Sequence, residues 1–489
     1  MWPPKLAHSN NMTKTFSVLI ATIFAAASAT AQTFRFDHEN VLGTSYALHV
    51  SAANEALAAQ VNAKVLEEVR RLEEMLSGYR SDSEFSRFLR DGKSEKLSRE
   101  LLQVLQACDQ WGERTNGAFH AAFAEASGAR QDAGQPAASA YRSPWTIEAD
   151  KGAAVLKAST KVGIDGLAKG YVIDRACDAA MRCEGVRGVT VDIGGDIRVA
   201  GDVHKTVEVA NPKQPADNAT PLFSLEIRDL AVATSGSYAR PVATADGKGT
   251  ESHIRDPKSG AAITNIISVT VIASACVDAD ALATALHVTT PAAGMQMIEA
   301  MPGYECVIVE ASGAVHASSG VEGLTGAKPV PSVAMSAAGL EVSLSFEIRK
   351  PETKSRRSYR RPYVAVWIED EDGNDVRTLA LWIERHRWLR DLRKWYRIHR
   401  RDKDLIANVS RATRRPGAYE LVWNGKSNEG EDLPTGNYVL CMEVAREHGT
   451  HQMMRAPFRT EVDQTVSMES NIEVGEATLS VRRRDSGDE

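Results

Sequence analysis

Between Ala317 and Ala338 the chain loses its hydrophobic period. Ser, Gly and Ala take over, and Pro329 and Pro331 deny the stretch a place inside a helix or a central strand. The residues on either side differ in character. From about Phe34 to Gly320 the sequence is rich in Ala and Gly and mixes alternating with helical hydrophobic patterns; from about Leu340 onward Arg, Trp and strict alternation dominate. A chain of 489 residues is more than one hydrophobic core normally serves. Two cores are therefore expected, over residues 32–320 and 339–489, with 321–338 as the linker. No internal repeat of fixed period is present.

The first residues read as an export signal. Lys14 precedes an apolar run from Phe16 through Ile20 to Ala27, and Ala29-Thr30-Ala31 supplies the small-x-small pattern of a cleavage site before Gln32. That run is shorter than the roughly 20 apolar residues a membrane-spanning helix needs, and no Cys follows it to carry a lipid. Residues 1–31 are thus expected to be a signal peptide, with Met12 a second candidate start, and the mature chain to work in the periplasm. Six cysteines without a C-x-x-C pair exclude a disulfide-built scaffold and a zinc ribbon, although Cys177 and Cys183 could meet at a helix end in an oxidising compartment. A formal net charge of −6 argues against a nucleic-acid partner.

Within the first region, Tyr46 to Val50 alternates like a strand, Val61 to Leu76 has helical spacing, and a further helix is expected over Leu101 to Arg114. Val162 to Ala176 reads as a short strand, a glycine-containing turn and a helix carrying Lys169. Glycine lets backbone amides approach a ligand and a helix start favours anions, so Lys169 could face a phosphate; a turn that only packs on its helix explains the same residues. Strands broken by Gly194-Gly195 and by Ser235-Gly236-Ser237 follow, then His253-Ile254-Arg255-Asp256-Pro257. Asp280 and Thr284 stand four apart in an Ala/Leu helix, so their oxygens share a face. Carboxylate, hydroxyl and backbone carbonyl suit Mg²⁺ better than zinc, while capping and solvation would account for the same pair.

In this order the segments resemble the FAD:protein FMN transferase (ApbE-like) family. The motifs are Val41-Leu42-Gly43-Thr44, Leu76-Ser77-Gly78-Tyr79, Asp82-Ser83-Glu84, Asn116-Gly117-Ala118-Phe119, Ala168-Lys169-Gly170-Tyr171, Gly194-Gly195-Asp196-Ile197, Ala233-Thr234-Ser235-Gly236, His253 to Pro257 and the Asp280/Thr284 helix. The resemblance implies an α+β domain with FAD in a cleft, and transfer of FMN from FAD to a Thr or Ser hydroxyl of an exported or membrane-bound acceptor flavoprotein, releasing AMP. It puts Mg²⁺ on Asp280, Thr284 and the Ala168 carbonyl. FAD contacts fall on Leu42, Tyr79, Ala118, Phe119, His120, Asp165, Tyr171 and Ile254. Lys169 would share the pyrophosphate charge, and His253 would take the acceptor's proton. His120 replaces the family's usual Asp, Leu42 its usual Met, and Asp165 a more common Gly, Ser or Asn. Glu322 to Lys328 only approaches the family's acceptor pattern, with Lys328 where the modified Thr belongs, so the acceptor is expected to be another protein.

The second region resembles an uncharacterised domain sometimes found with flavin transferases, with an immunoglobulin-like core. Leu340 to Ile348 and Tyr363 to Glu369 read as strands, Asp372-Gly373-Asn374 as a hairpin turn, and Tyr419 to Gly425 followed by Leu433 to Leu440 as strand, polar loop, strand, giving an all-β sandwich. Trp388, Leu392 and Trp395 share a helical face amid arginines. That face either docks on a membrane surface or acidic partner, or packs on the sandwich and leaves the arginines in water.

Overall fold

In the computed structural model of the chain the described residues are 32–123, 141–157, 161–213, 216, 218–219, 221–236, 242–243, 250–251, 254–256, 261–325, 340–350, 360–383, 386–411, 413–447 and 449–483. The expected signal peptide, residues 1–31, and the expected base His253 lie outside them.

The first region is built on one eight-stranded sheet: β1 (Gln32–Val41), β2 (Thr44–Ala52), β3 (Val186–Ile193), β4 (Asp196–Gly201), β5 (Ala231–Gly236), β6 (Ile266–Ala273), β7 (Glu305–Glu310) and β8 (Val315–Ala317). Each strand pairs antiparallel with the next. Helices α1 (Glu55–Leu76), α2 (Glu84–Asp91), α3 (Arg99–Arg114) and α4 (Asp165–Met181) come between β2 and β3, and α5 (Cys276–His287) and α6 (Pro291–Glu299) between β6 and β7.

Strand alternation decides which side each residue serves. In β6, Val271 and Ala273 join the helix-side core while Ile272 faces the other way; in β7, Cys306 and Ile308 divide from Val307 and Val309 in the same manner. The helix side takes Val61, Val65, Val69, Leu72 and Leu76 of α1 with Leu167 and Ile173 of α4 and Leu282 and Leu286 of α5. Each such side chain contributes roughly 1.5–3 kcal/mol on burial. Asn54 starts α1 by accepting from the Leu57 amide at 2.9 Å. On the opposite face the sheet is covered by a ribbon of Lys205–Val209 and Phe223–Ile227. Residues Val321–Leu324 form one helical turn whose Val321 is buried in that layer.

The second region stacks a four-stranded sheet on a five-stranded one. Leu340–Ile348, Gly417–Trp423, Gln464–Met468 and Val474–Arg483 make the first; Tyr363–Glu369, Asp375–Trp382, Ser410–Arg411, Asn437–Ala445 and His451–Arg459 make the second. Val342, Leu344 and Phe346 meet Val364, Val366 and Ile368 in the core between them. The far side of the five-stranded sheet, with Tyr363 and Trp367, is covered by two short helical pieces, His386–Asp391 and Arg393–His399. Leu392 and Trp395 are buried there, Trp388 is half-buried, and Arg390, Arg393, Arg397 and Arg400 stay exposed. The tryptophan face therefore packs on the sandwich.

All six cysteines are buried free thiols. Cys177 and Cys183 do not pair; the Cys183 thiol instead contacts the Ala179 carbonyl at 3.5 Å, one helical turn back along its own backbone. No helix among the described residues is long and apolar enough to cross a membrane.

Candidate active site

Helix α4 begins at Asp165 and carries Ala168-Lys169-Gly170-Tyr171 in its first two turns. Close packing explains the glycines there. A Cβ on Gly170 would stand 2.3 Å from the Cys276 carbonyl oxygen, and one on Gly166 would meet Phe119 Cε2 at 3.0 Å and Thr284 Cγ2 at 3.3 Å. Glycine in a helix costs about 1 kcal/mol relative to Ala, and here it lets α4 and α5 touch backbone to backbone. Two hydrogen bonds use that approach: the Gly170 amide donates to Asp280 Oδ2 at 2.9 Å, and the Thr284 hydroxyl donates to the Gly166 carbonyl at 3.3 Å. Asp280 and Thr284 thus lie on one face of α5, as their spacing predicts, against the segment of α4 that contains Ala168.

Charge gathers at the same place. Lys169 Nζ is 2.5 Å from Asp196 Oδ2, and the Thr234 amide holds Asp196 Oδ1 at 3.1 Å. Burial works against the Lys169 ammonium, but the Asp196 and Asp280 carboxylates outweigh it and hold its pKa above the ordinary lysine value. Asp280 is pushed up to about 8, first by burial and then by the charge of Asp196, with Lys169 only partly offsetting both. Two buried carboxylates share one ammonium. A divalent cation would relieve that imbalance, and Asp280, the Thr284 hydroxyl and a backbone carbonyl of α4 are the oxygen donors it would find. Among the described residues no group of three His, Cys, Asp or Glu side chains could hold a metal alone, so a cation here must use the hydroxyl and the carbonyl.

The turn between β1 and β2 borders this cluster. Leu42 and Gly43 both have left-handed backbones, φ +50° and +75°, and the following Thr44 packs so tightly on the β3–β4 turn that a Cβ on Gly194 would meet its Cγ2 at 2.7 Å. Two residues beyond Gly194 stands Asp196. Phe119 is buried against Gly166, with its amide donating to Thr115 Oγ1 at 2.9 Å. His120, half-buried, accepts the Ala122 amide on Nδ1 at 3.0 Å and lies against Tyr141, and burial lowers its pKa. It therefore presents a neutral imidazole where the family resemblance expects a carboxylate. Tyr79 is 88% exposed, an unusual state for an aromatic ring. Ile254 is buried, its carbonyl accepting the Ile263 amide.

Tyr171 is not brought together with Lys169. Two residues further round α4, its hydroxyl donates to Gln103 at 2.7 Å, and it lines a cavity of about 310 Å³ with Asp174, Arg175, Asp178, Arg198, Ala275 and Val277. Asp174 in that wall accepts the amides of Cys276 and Val277 at 2.9 Å each, fastening the start of α5 to α4. Neither Asp174 nor Asp196 stood out as a site residue from the sequence. The signal for Asp196 was present in its position directly after the paired glycines, but its partner lies 27 positions earlier and only the sheet brings them together. Asp278, a neighbour of the site in sequence, is engaged by the Trp111 indole at 3.0 Å.

A family model described as "ApbE family" matches residues 42–308, and one described as "Predicted periplasmic protein (DUF2271)" matches residues 342–476. An FAD:protein FMN transferase of Vibrio cholerae is 32% identical over 255 residues, covering 48% of this chain and 75% of that protein. One from Treponema pallidum is 27% identical over 318 residues, covering 58% and 86%. The crystal structure of the ApbE protein of Thermotoga maritima superposes with a TM-score of 0.51 at 24% identity, over 60% of this chain and 99% of that one. At that identity the likeness establishes the fold of the first region.

Proposed function

Because the chain belongs to the ApbE family, we propose that it is an FAD:protein FMN transferase that moves FMN from FAD to a Thr or Ser hydroxyl of an exported acceptor flavoprotein and releases AMP. The single observation that carries this reading is the crowding of Asp280, Asp196 and Lys169 where α4 and α5 touch: a buried, incompletely neutralised cluster beside a lysine is what phosphoryl transfer needs and what a purely structural contact would avoid.

In this reading Asp280, Thr284 and the Ala168 carbonyl hold Mg²⁺, which would neutralise charge on the pyrophosphate of FAD. Lys169 turns toward the same phosphates, with Asp196 fixing its ammonium. Leu42, Tyr79, Ala118, Phe119, His120, Asp165 and Ile254 supply the flavin and nucleotide contacts, and the exposed ring of Tyr79 suits stacking on the flavin; Tyr171, bonded to Gln103 in the wall of the Asp174 cavity, is not among them. His253 takes the proton of the acceptor hydroxyl as its oxygen bonds to the FMN phosphorus and the bond to AMP breaks. Residues 32–320 form the transferase unit and 339–489 the sandwich unit, in a periplasmic protein whose leader is residues 1–31.

Mass spectrometry of a candidate acceptor incubated with the mature protein, FAD and Mg²⁺ tests the reading. An FMN adduct on the acceptor that disappears when the metal is chelated supports it. FMN and AMP released to water without an adduct would make the protein an FAD pyrophosphatase, and FAD binding without turnover would make it a flavin carrier.

A further inference from the structure

The β1–β2 turn carries an energetic burden: Leu42 packs against the core of the first region while its backbone sits in a left-handed conformation. A two-residue hairpin turn with both φ positive is built readily from Asn-Gly or Gly-Gly, whereas Leu42 places a branched apolar side chain in the left-handed region. Such a residue persists only where its surroundings hold it. Asn40, just before the turn, is also left-handed, at φ +64°.

A second restraint, besides the packing of Leu42, comes from the other region. One terminal nitrogen of Arg415 donates to Asn40 Oδ1 at 2.6 Å and to the Gly43 carbonyl at 2.7 Å, so a single guanidinium bridges both ends of the turn. Arg415 belongs to the segment that leads into the strand Gly417–Trp423 of the sandwich. Nearby, Arg361 forms an ion pair with Glu39, and further along the same contact between the regions the Asn218 side chain exchanges two 2.7 Å hydrogen bonds with the backbone of Val422. The sandwich is thus anchored beside the turn, and Arg415 reaches from that anchor onto it.

From this geometry we infer that Arg415 of the sandwich region is a positioning residue for FAD binding, holding the Leu42-Gly43 turn in its ligand-binding shape. The inference rests on the proposed function, in which Leu42 touches FAD. The turn also bears on the rest of the site, because Thr44 is wedged against Gly194 and Asp196 follows two residues later as the partner of Lys169. The sandwich is then a working part of the flavin cleft, not an independent passenger.

Arg415 is exposed, so removing it leaves no buried hole and the fold should survive. In the full chain, R415A is expected to weaken FAD binding roughly tenfold, the scale of releasing one strained residue, with an unchanged melting temperature. R415K, which keeps the charge and can reach one of the two acceptors, should fall between wild type and R415A. N40G removes the Oδ1 acceptor from the other side while tolerating the positive φ, and should weaken binding by a smaller factor. Fluorescence quenching of FAD on titration, alongside thermal melts, reads all of these. Wild-type FAD affinity in R415A, or a loss that only follows a lowered melting temperature, overturns the inference alone. A wild-type chain that fails to bind FAD overturns the functional reading and this inference with it.

Discussion

The two regions of this molecule both bury carboxylates, and they treat them in opposite ways. In the sandwich, Glu369 accepts from the Trp367 indole at 2.9 Å and is paired with Lys394 at 2.5 Å and Arg455 at 2.8 Å. Glu443 accepts the amides of Lys394 and Trp395 and faces His451 at 2.7 Å. Burial opposes the charge on Glu369, but Lys394 and Trp367 overcome it and hold the pKa below the ordinary value. In the transferase region Asp280 shares one lysine with Asp196, and its pKa moves the other way. A buried charge that the protein has fully paired is part of the frame. Asp280, short of countercharge and beside a hydroxyl and a lysine, fits a site that a cation completes.

The sharpest way to break this contrast is at Asp280. D280N keeps an oxygen to receive the Gly170 amide and removes the charge that a cation would need. Flavin transfer should fall by at least about 10³-fold, while the metal-free protein should melt at the same temperature or higher, because Asp280 is a carboxylate whose ionisation the fold opposes at neutral pH. Wild-type adduct formation by D280N, read by mass spectrometry, would remove the magnesium assignment. His253 offers a second test within the same region. Its replacement by Asn should slow transfer by roughly 10²–10⁴-fold with FAD affinity nearly intact. Weakened affinity with an unchanged rate at saturating FAD would instead make His253 a cofactor contact.

Removing the frame carboxylate should do the reverse. E369A strands Lys394 and Arg455, both of which can still reach water, so the sandwich should lose about 2–4 kcal/mol by denaturant unfolding. FAD binding at temperatures where both regions remain folded should be unchanged. Equal loss of stability in D280N and E369A would erase the distinction between the two kinds of site.

How far the sequence announced this arrangement depended on the range over which each feature is encoded. The helical period of Val61 to Leu76 and the alternation around Tyr46 report burial residue by residue, and both elements appear where that pattern puts them. Asp280 and Thr284 were legible for the same reason, since four residues is one helical turn. The Lys169–Asp196 pair, the fastening of α5 by Asp174 and the reach of Arg415 onto Gly43 were not legible, because each joins elements that only the folded sheet or the contact between regions makes neighbours. Of the two readings open for the glycines around Lys169, approach of a ligand or packing, the close contacts of Gly166 and Gly170 with α5 support packing.

The smallest expected effect concerns pH and again sets one buried group against others. His49 in β2 is held far below its ordinary pKa of 6.5, to about 3, chiefly by burial and then by the charges of Lys205 and Arg35. Below about pH 6.5 the unfolded chain takes up a proton there that the folded chain refuses, so this group withdraws stability as pH falls, by about 1–2 kcal/mol at pH 5. Asp280 and Asp192, the latter raised to about 6 chiefly by burial, act with the opposite sign, because the folded chain protonates them first. The wild-type melt therefore mixes the two tendencies, and the contribution of His49 has to be read as a difference. H49Q cannot take the proton, so its stability relative to wild type should improve between pH 7 and pH 5 by about that amount. Parallel stability curves for the two proteins over this range would mean that His49 is protonated without cost in the folded sheet.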